Sequence, residues 1–150
     1  MPFLEVYGQT EGTGCEFGQS IHDWTSGHVG GIMSSLEMKL RDVPEMNYTS
    51  NDKDENGNPT PRGEILVRGN GVFQGYYKNA EKTSETIDQE GWLHSGDVGM
   101  IVPPNNHMKI IDRIKNIFKL SQGEYVAPDK LEQIYKTCPG VADIFVYGDS

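Results

Sequence analysis

Residues 98–110 of the chain read Val-Gly-Met-Ile-Val-Pro-Pro-Asn-Asn-His-Met-Lys-Ile. Apolar side chains recur at every second position on both sides of the central turn: Val98, Met100 and Val102 before it, Met108 and Ile110 after it. A period of two is typical of a half-buried β-strand, and the Pro-Pro-Asn-Asn run favours a turn. The stretch therefore predicts an antiparallel hairpin.

Similar extended patterns lie on both sides of this hairpin. Upstream, residues 29–43 read as extended, with Leu36, Met38 and Leu40 alternating with charged residues until Pro44 ends the strand. Further strands are predicted at Leu4–Tyr7, at Gly63–Gly69 and at Ile117–Leu120; the second of these has a glycine at each end. The polar residues from Pro44 to Arg62 indicate a solvated loop.

Two helices interrupt the strands. Asn79 is a suitable N-cap for a short helix that continues to about Ile87. Pro128 suits the first position of a second helix, on which Leu131, Ile134 and Tyr135 share a face. Pro139 and Gly140 end this helix, and residues 141–147 predict the start of one more strand, whose sheet is expected outside this chain. We therefore expect an α+β fold that is mainly antiparallel β.

Composition excludes several classes of function. With 13 Lys and Arg against 22 Asp and Glu, the formal charge is −9, which argues against nucleic-acid binding and against docking on an anionic membrane. We expect no signal peptide and no transmembrane segment, since no apolar run approaches the roughly 20 residues of a membrane span. Cys15 and Cys138 are expected to be free thiols in the cytoplasm. The four histidines lack metal-ligand spacing, so no zinc site is predicted.

Three polar stretches stand out as chemically suited to a nucleotide site. Residues 7–12, Tyr-Gly-Gln-Thr-Glu-Gly, present a hydroxyl for a phosphate oxygen and a carboxylate for Mg²⁺ on one turn. Residues 92–99, a Trp-Leu-His-Ser-Gly-Asp turn continuing to Gly99, place Asp97 where its carboxylate suits a ribose diol. Residues 110–119 carry Arg113, whose guanidinium suits oxyanions. Each stretch alone also has a purely structural explanation. The first fits an ordinary polar turn, the second an aspartate that hydrogen-bonds its own backbone, and the third a solvated strand edge.

Taken together, the order and spacing of these stretches resemble the adenylate-forming (AMP-binding) superfamily. The resemblance is closer still to eukaryotic long-chain fatty-acid–CoA ligases, or acyl-CoA synthetases. It rests on Gly-Gln-Thr-Glu at 8–11, Asp-Trp-Thr-Ser-Gly-His-Val-Gly at 23–30, Phe-Gln-Gly-Tyr-Tyr at 73–77 and Phe-Lys-Leu-Ser-Gln-Gly-Glu-Tyr-Val-Ala-Pro at 118–128. The resemblance implies an enzyme that uses ATP, Mg²⁺ and coenzyme A to convert a fatty acid first to an acyl-adenylate and then to a thioester.

The resemblance also implies roles for residues of the first turn. Tyr7 is expected to lie against the adenine ring, and Gly8 to belong to the ATP and AMP site. Thr10 is expected to bond a phosphate, and Glu11 to hold Mg²⁺ as a catalytic ligand.

Further roles fall on the second half of the chain. By the same resemblance, Asp97 takes the ribose hydroxyls and Arg113 lies close to the ribose and phosphate. Lys115 matches the hinge about which a small C-terminal domain rotates between the two half-reactions. Gly123, in the turn at 121–123, approaches the coenzyme A channel or is a plain loop glycine; both interpretations stay open.

The implied organisation has two parts. Residues 1–113 correspond to the C-terminal part of the large AMP-binding domain, chiefly its distorted β-barrel lobe, and residues 114–150 to the hinge and the start of the small domain. We expect an internal fragment that is inactive alone, because the family's phosphate loop and adenylation lysine are absent from the sequence. The parent enzyme is expected to be cytoplasmic, and its peripheral attachment to an intracellular membrane stays open.

Three alternatives remain. The first two are other adenylate-forming enzymes, namely a peptide-synthetase adenylation domain and a luciferase-like protein. The stretch Gln-Gly-Glu-Tyr at 122–125 favours the long-chain acyl type over both. The third is a non-catalytic β-barrel module that binds a nucleotide or a partner protein.

Overall fold

The structure, a computed structural model, describes residues 3–148. This part of the chain contains nine β-strands and two α-helices, together with 3-10 helices at Thr10–Gly12 and Pro44–Met46. In chain order they are β1 (Val6–Tyr7), β2 (Phe17–Gly18), β3 (Gly31–Ile32), β4 (Leu36–Arg41), β5 (Arg62–Gly69), α1 (Ala80–Thr86), β6 (Leu93–Val102), β7 (His107–Arg113), β8 (Phe118–Lys119), β9 (Tyr125–Val126) and α2 (Pro128–Lys136).

The largest sheet has four antiparallel strands in the order β4-β5-β6-β7. Its last two strands form the predicted hairpin, in which Val102 pairs with His107 and Met100 with Lys109. Strand β6 begins earlier than predicted, so the Trp-Leu-His-Ser-Gly-Asp stretch is not a free turn. Leu93 is fully buried and pairs with Val67, which draws this stretch into the sheet.

Within residues 3–148, the strands form three open sheets and no closed barrel. A three-stranded sheet has the order β1-β2-β3, and β8 pairs with β9 alone. The mainly antiparallel fold is therefore confirmed, whereas the predicted barrel lobe is not seen as a closed structure. The physical reason is that β4 and β7, the two edges of the large sheet, do not pair with each other.

The hydrophobic core lies between the three-stranded and four-stranded sheets. Phe17 from β2 packs with Ile65 and Val67 from β5, Leu93 from β6 and Met108 from β7, and each is at most 1% exposed. Full burial of such a side chain contributes about 1.5–3 kcal/mol. Two backbone bonds between Gly30, Val29 and Met108 join the sheets, since Val29 N donates to Met108 O and Met108 N to Gly30 O, each at 2.8 Å.

Both helices begin where the sequence predicts. The Asn79 side chain caps α1 by accepting a 3.0 Å hydrogen bond from Lys82 N, and Pro128 opens α2. In the described part of the chain, neither helix is long and apolar enough to cross a membrane.

The strand predicted at residues 141–147 is not formed within residues 3–148. The structure gives this segment no regular secondary structure, and its ring-bearing side chains Phe145 and Tyr147 are 82% and 74% exposed. The physical reason is that no strand of residues 3–148 lies beside it to accept a ladder. Val146 N instead donates to the Glu132 side chain on α2, at 2.8 Å.

Candidate functional site

A cleft of about 1250 Å³ lies where four separated parts of the chain meet. Its walls come from the turn that follows β1, from residues 94–97 of β6, from Tyr76 with α1, and from the end of β7. The residues with predicted roles that line it are Tyr7, Gly8, Thr10, Glu11, Asp97, Arg113 and Lys115. The structure therefore brings together residues more than 100 positions apart in the sequence.

Asp97 is held at one side of the cleft by two neighbours. The Tyr7 hydroxyl donates to Asp97 Oδ2 at 2.6 Å, and Arg113 Nε lies 3.6 Å from Asp97 Oδ1. Burial first, and the adjacent carboxylate second, raise the pKa of Tyr7 well above its ordinary value, so this phenol stays protonated and remains a donor. The Tyr7 ring leans on Phe17 of the core, with ring centroids 6.0 Å apart.

The ladder geometry explains why Asp97 faces the cleft. The β5–β6 pairing shifts register between Glu64 and Leu66, whose partners are Val98 and His94. Residues 95–97 therefore bulge out of the ladder, and Gly96 takes a φ of +72° that suits glycine.

Glu11 lies at the other side of the cleft, on the 3-10 helix Thr10–Gly12. Its backbone carbonyl accepts a 2.8 Å bond from Phe73 N, which ties the turn to the loop before α1. Its carboxylate accepts a bond from the Tyr76 hydroxyl. That bond lowers the pKa of Glu11, so the carboxylate is ionised at neutral pH.

Gly8 is required by the close packing of the turn. A Cβ atom at this position would lie 1.6 Å from Gly14 O, which no side chain can occupy. The same turn has Glu16 beneath it: a Cβ at Gly12 would lie 1.9 Å from Glu16 Oε1. Glu16 is 0% exposed, and in the part of the chain that the structure describes neither of its carboxylate oxygens meets the geometry of a hydrogen bond. Burial raises the pKa of Glu16 to about 7.

The sequence analysis missed the roles of Tyr76 and Glu64, two polar residues that line the cleft. Tyr76 lies within the Phe-Gln-Gly-Tyr-Tyr stretch but received no role, although an aromatic hydroxyl after a glycine was a usable signal. Glu64 was hidden inside an apolar strand, where it is buried and pairs with Arg41 and His94. Its Oε1 also accepts a 3.2 Å bond from Gly96 N, which supports the bulge that carries Asp97.

Gly123 does not line this cleft. It lies in the exposed turn between β8 and β9, with a φ of +94° and a 2.8 Å bond from its N–H to Leu120 O. The turn favours a glycine here, because L-residues rarely adopt such a φ, and the approach of Gly123 to a coenzyme A channel stays a prediction.

The prediction that the histidines form no zinc site stays a prediction, but the structure brings two of them together in a way that the sequence analysis missed. His28 and His107 lie close to each other and to Asp23, although they are 79 positions apart in the sequence. Spacing within a local motif cannot show this, because the contact depends on the pairing of residues 29–30 with β7.

The sequence of this chain is similar to that of long-chain acyl-CoA synthetases. It is 53% identical to "Long chain acyl-CoA synthetase 6, peroxisomal" of Arabidopsis thaliana, over 97% of this chain and 20% of that protein. It is 50% identical to "Long-chain-fatty-acid–CoA ligase 1" of Homo sapiens, over 99% of this chain and 20% of that protein. The chain thus spans about a fifth of the length of the curated relatives it matches.

Solved structures of adenylating enzymes share the fold. The A domain of a carboxylic acid reductase from Segniliparus rugosus, in complex with AMP and a carboxylic acid, superposes with a TM-score of 0.80 at 39% identity, covering 97% of this chain and 21% of that one. ATP-bound MatB from Rhodopseudomonas palustris gives a TM-score of 0.71 at 28% identity, covering 93% of this chain and 26% of that one.

A family match covers the first half of the chain. The sequence model described as "AMP-binding enzyme" matches residues 1–77, which include the turn that carries Tyr7, Thr10 and Glu11. This match, the relatives and the shared fold agree with one another, and the chain belongs to the AMP-binding enzyme family.

Proposed function

We propose that the chain is part of an ATP-dependent long-chain fatty acid–CoA ligase. Such an enzyme joins a fatty acid to the α-phosphate of ATP, releases pyrophosphate, and then transfers the acyl group to coenzyme A with loss of AMP. The observation that carries the proposal is the convergence of Tyr7, Glu11, Asp97 and Arg113 on one cleft. The relatives at about 50% identity, which are named as ligases of this kind, support the choice of substrate.

In this proposal the Asp97 side binds the nucleoside. A carboxylate accepts two hydrogen bonds from a ribose diol, and Arg113 Nε, 3.6 Å from Asp97, is near enough to contact the adjoining phosphate as well. The Tyr7 ring offers an aromatic face for adenine, and its hydroxyl fixes the Asp97 carboxylate before the nucleotide arrives. A carboxylate that is already oriented loses less entropy when it binds the ribose.

The Glu11 side holds the charged phosphates. An ionised carboxylate that keeps one oxygen on the Tyr76 hydroxyl fits Mg²⁺, which favours hard oxygen ligands and binds through one or two carboxylates plus phosphate oxygens. When bound, Mg²⁺ neutralises charge on the phosphate oxygens. The Thr10 hydroxyl, on the same 3-10 helix, donates to a phosphate oxygen.

The remaining roles concern the second half-reaction. Residues 1–113 form the end of a large AMP-binding domain and residues 114–150 the start of a small one, with Lys115 as the hinge between them. Lys115 is exposed and lines the cleft just beyond the end of β7, a position that suits a pivot. Gly123 approaches the coenzyme A channel only after that rotation.

The proposal is tested on the full-length protein that carries this chain. With ATP, Mg²⁺, palmitate and coenzyme A, we expect palmitoyl-CoA and AMP. Glu11→Ala and Asp97→Ala should each lower the rate on the order of 100-fold, in line with loss of a preorganised electrostatic group. Asp143→Ala, on the exposed segment beyond α2, is the matched control and should leave the rate unchanged.

The outcome separates the alternatives. In one outcome, the protein binds nucleotide in a way that Asp97→Ala abolishes and yet releases no pyrophosphate with any acid. That result would indicate a non-catalytic nucleotide-binding module in place of the ligase. Adenylation of amino acids in place of palmitate would indicate a peptide-synthetase activity.

A further inference from the structure

Outside the cleft, three ligand atoms from two distant segments form a compact triangle. Asp23 Oδ2 lies 3.5 Å from His28 Nε2 and 3.5 Å from His107 Nδ1, and the two ring nitrogens are 3.2 Å apart. A tetrahedral metal with bonds of about 2.0–2.1 Å holds its ligand atoms about 3.3 Å from one another. The triangle therefore has the dimensions of three corners of a metal tetrahedron.

The Asp23 carboxylate is oriented so that one oxygen is left for a cation. Its Oδ1 accepts hydrogen bonds from both the backbone N and the Oγ1 of Thr25. Its Oδ2, which points at the two imidazoles, is buried and has no hydrogen-bond partner among residues 3–148. A buried carboxylate oxygen without a partner is unfavourable, and a bound cation removes that penalty.

The backbone fixes the two histidines relative to each other. His28 is 7% exposed, and its ring centroid lies 4.2 Å from that of His107. The residues next to them are joined by the paired bonds between Val29, Gly30 and Met108. The triangle is therefore set by the join between the two sheets rather than by mobile side chains on an open surface.

The hydrogen bonds of His28 predict how a metal would bind. Gly30 N donates to His28 Nδ1 at 3.0 Å, so in the metal-free state the ring proton resides on Nε2, 2.7 Å from Thr25 Oγ1. A metal on Nε2 requires the ring proton to move to Nδ1, so the hydrogen bond from Gly30 N to Nδ1 is lost when the metal binds.

We propose that Asp23, His28 and His107 bind a divalent transition-metal ion, with Zn²⁺ as the best fit. Two imidazole nitrogens and one carboxylate favour Zn²⁺ over Mg²⁺ or Ca²⁺, which prefer all-oxygen sites. The three protein ligands leave a fourth position for water. None of the three residues lines the cleft described above, so the ion cross-links the segment 23–28 to β7 as a structural element and takes no part in the ligase reaction.

The test uses the whole protein, stripped of metal with a chelator and titrated with Zn²⁺ by calorimetry and with Co²⁺ by visible absorption. We expect one tight site, the absorption bands of four-coordinate Co²⁺, and a melting temperature that rises with Zn²⁺. His107→Ala and Asp23→Asn should weaken Zn²⁺ binding on the order of 100-fold and abolish the thermal shift. His22→Ala removes an exposed imidazole one residue from Asp23 and should behave as the unmodified protein.

Three results would overturn the proposal. The first is Zn²⁺ affinity that His107→Ala leaves unchanged, and the second is Co²⁺ without four-coordinate bands. The third is stabilisation of the metal-free protein by mild acid with no response to Zn²⁺, which would make the cluster a proton site. Where a variant unfolds, Co²⁺-induced shifts of the His28 and His107 ring resonances in the unmodified protein decide the question. Ligase activity is measured on the same preparations. Because Zn²⁺ binding is measured directly, the metal proposal can fail or hold whether or not the protein is an active ligase.

Discussion

The Tyr76 hydroxyl donates a 2.5 Å hydrogen bond to Glu11 Oε1, joining two residues 65 positions apart across the cleft. Tyr76 is itself held in place: its N–H donates to Thr83 Oγ1 on α1, and its ring packs edge-on against Phe73. Phe73 N in turn bonds the Glu11 carbonyl. The loop before α1 therefore fixes both the backbone and the carboxylate of the proposed Mg²⁺ ligand.

Replacement of Tyr76 by Phe is expected to weaken the dependence on Mg²⁺ without unfolding the protein. Without the hydroxyl, the pKa of Glu11 rises toward its ordinary value and the carboxylate loses its orientation. The Mg²⁺ concentration for half-maximal ATP–pyrophosphate exchange should rise about 10-fold, as for other partners of a metal ligand. Tyr77→Phe is the matched control, since Tyr77 is 88% exposed. Equal Mg²⁺ curves for the two variants would contradict a positioning role.

Glu16→Gln is expected to change the pH dependence of stability. The pKa of Glu16 is raised by burial from 4.5 to about 7, so the folded state keeps this proton after the unfolded state has lost it. Stability therefore falls as pH rises from about 4.5 to about 7, by on the order of 3 kcal/mol in total. The variant should lose this decline and be more stable than the unmodified protein at pH 8.

Urea unfolding at pH values from about 4.5 to 8 measures how Glu16 changes the free energy of unfolding. Glu55→Gln, at an exposed carboxylate, should retain the full decline. A decline that persists in Glu16→Gln would assign it to other groups, such as Asp112, whose pKa is also raised by burial.

Gly8→Ala is expected to disrupt the turn that carries Thr10 and Glu11. The added Cβ would lie 1.6 Å from Gly14 O, and backbone cannot yield by that amount without losing the turn. We expect a loss of about 2 kcal/mol or more in the free energy of unfolding, together with lost nucleotide binding. Gly31→Ala is the control, because a Cβ there meets nothing within 4 Å. Similar melting temperatures for the two variants would show that the turn adapts.

Lys115→Pro is expected to separate the two half-reactions. Proline fixes φ near −65°, so it hinders a rotation at this residue. Among residues 3–148 the Lys115 N–H has no hydrogen-bond partner, so the substitution removes no backbone bond. We expect thioester formation to fall much more than ATP–pyrophosphate exchange, with Lys115→Ala retaining both. Equal losses of both steps with a lowered melting temperature would remove Lys115 from the hinge role.

The sequence predicted local elements well wherever one face of a strand is buried. The hairpin at 98–110 and the Asn79 cap are confirmed because alternation and capping act between near neighbours. The strand at 141–147 stays a prediction for the opposite reason: a strand needs a partner, and residues 3–148 supply none beside it.

The cleft was predictable only in part. Tyr7, Glu11, Asp97 and Arg113 lie in short motifs with a recognisable order, so their meeting in one cleft was an expectation. The Tyr76 bond to Glu11 and the group Asp23, His28 and His107 depend on which loops the sheets bring together. No pattern of spacing along the chain contains that information.

The ladder between β6 and β7 ends at the pair Asp97 and Arg113, just before Lys115. Beyond that pair, the backbone bond from Ile114 N to Gly96 O is the last one described between the two strands before residue 115. A rotation at Lys115 would therefore act on the sheet through its last residue pair, Asp97 and Arg113. The rest of the β6–β7 pairing, from Val98 to Val102, resists twisting. In the proposed function, the Asp97 carboxylate stays in place while the segment after Lys115 rotates, so that one nucleotide site serves both half-reactions.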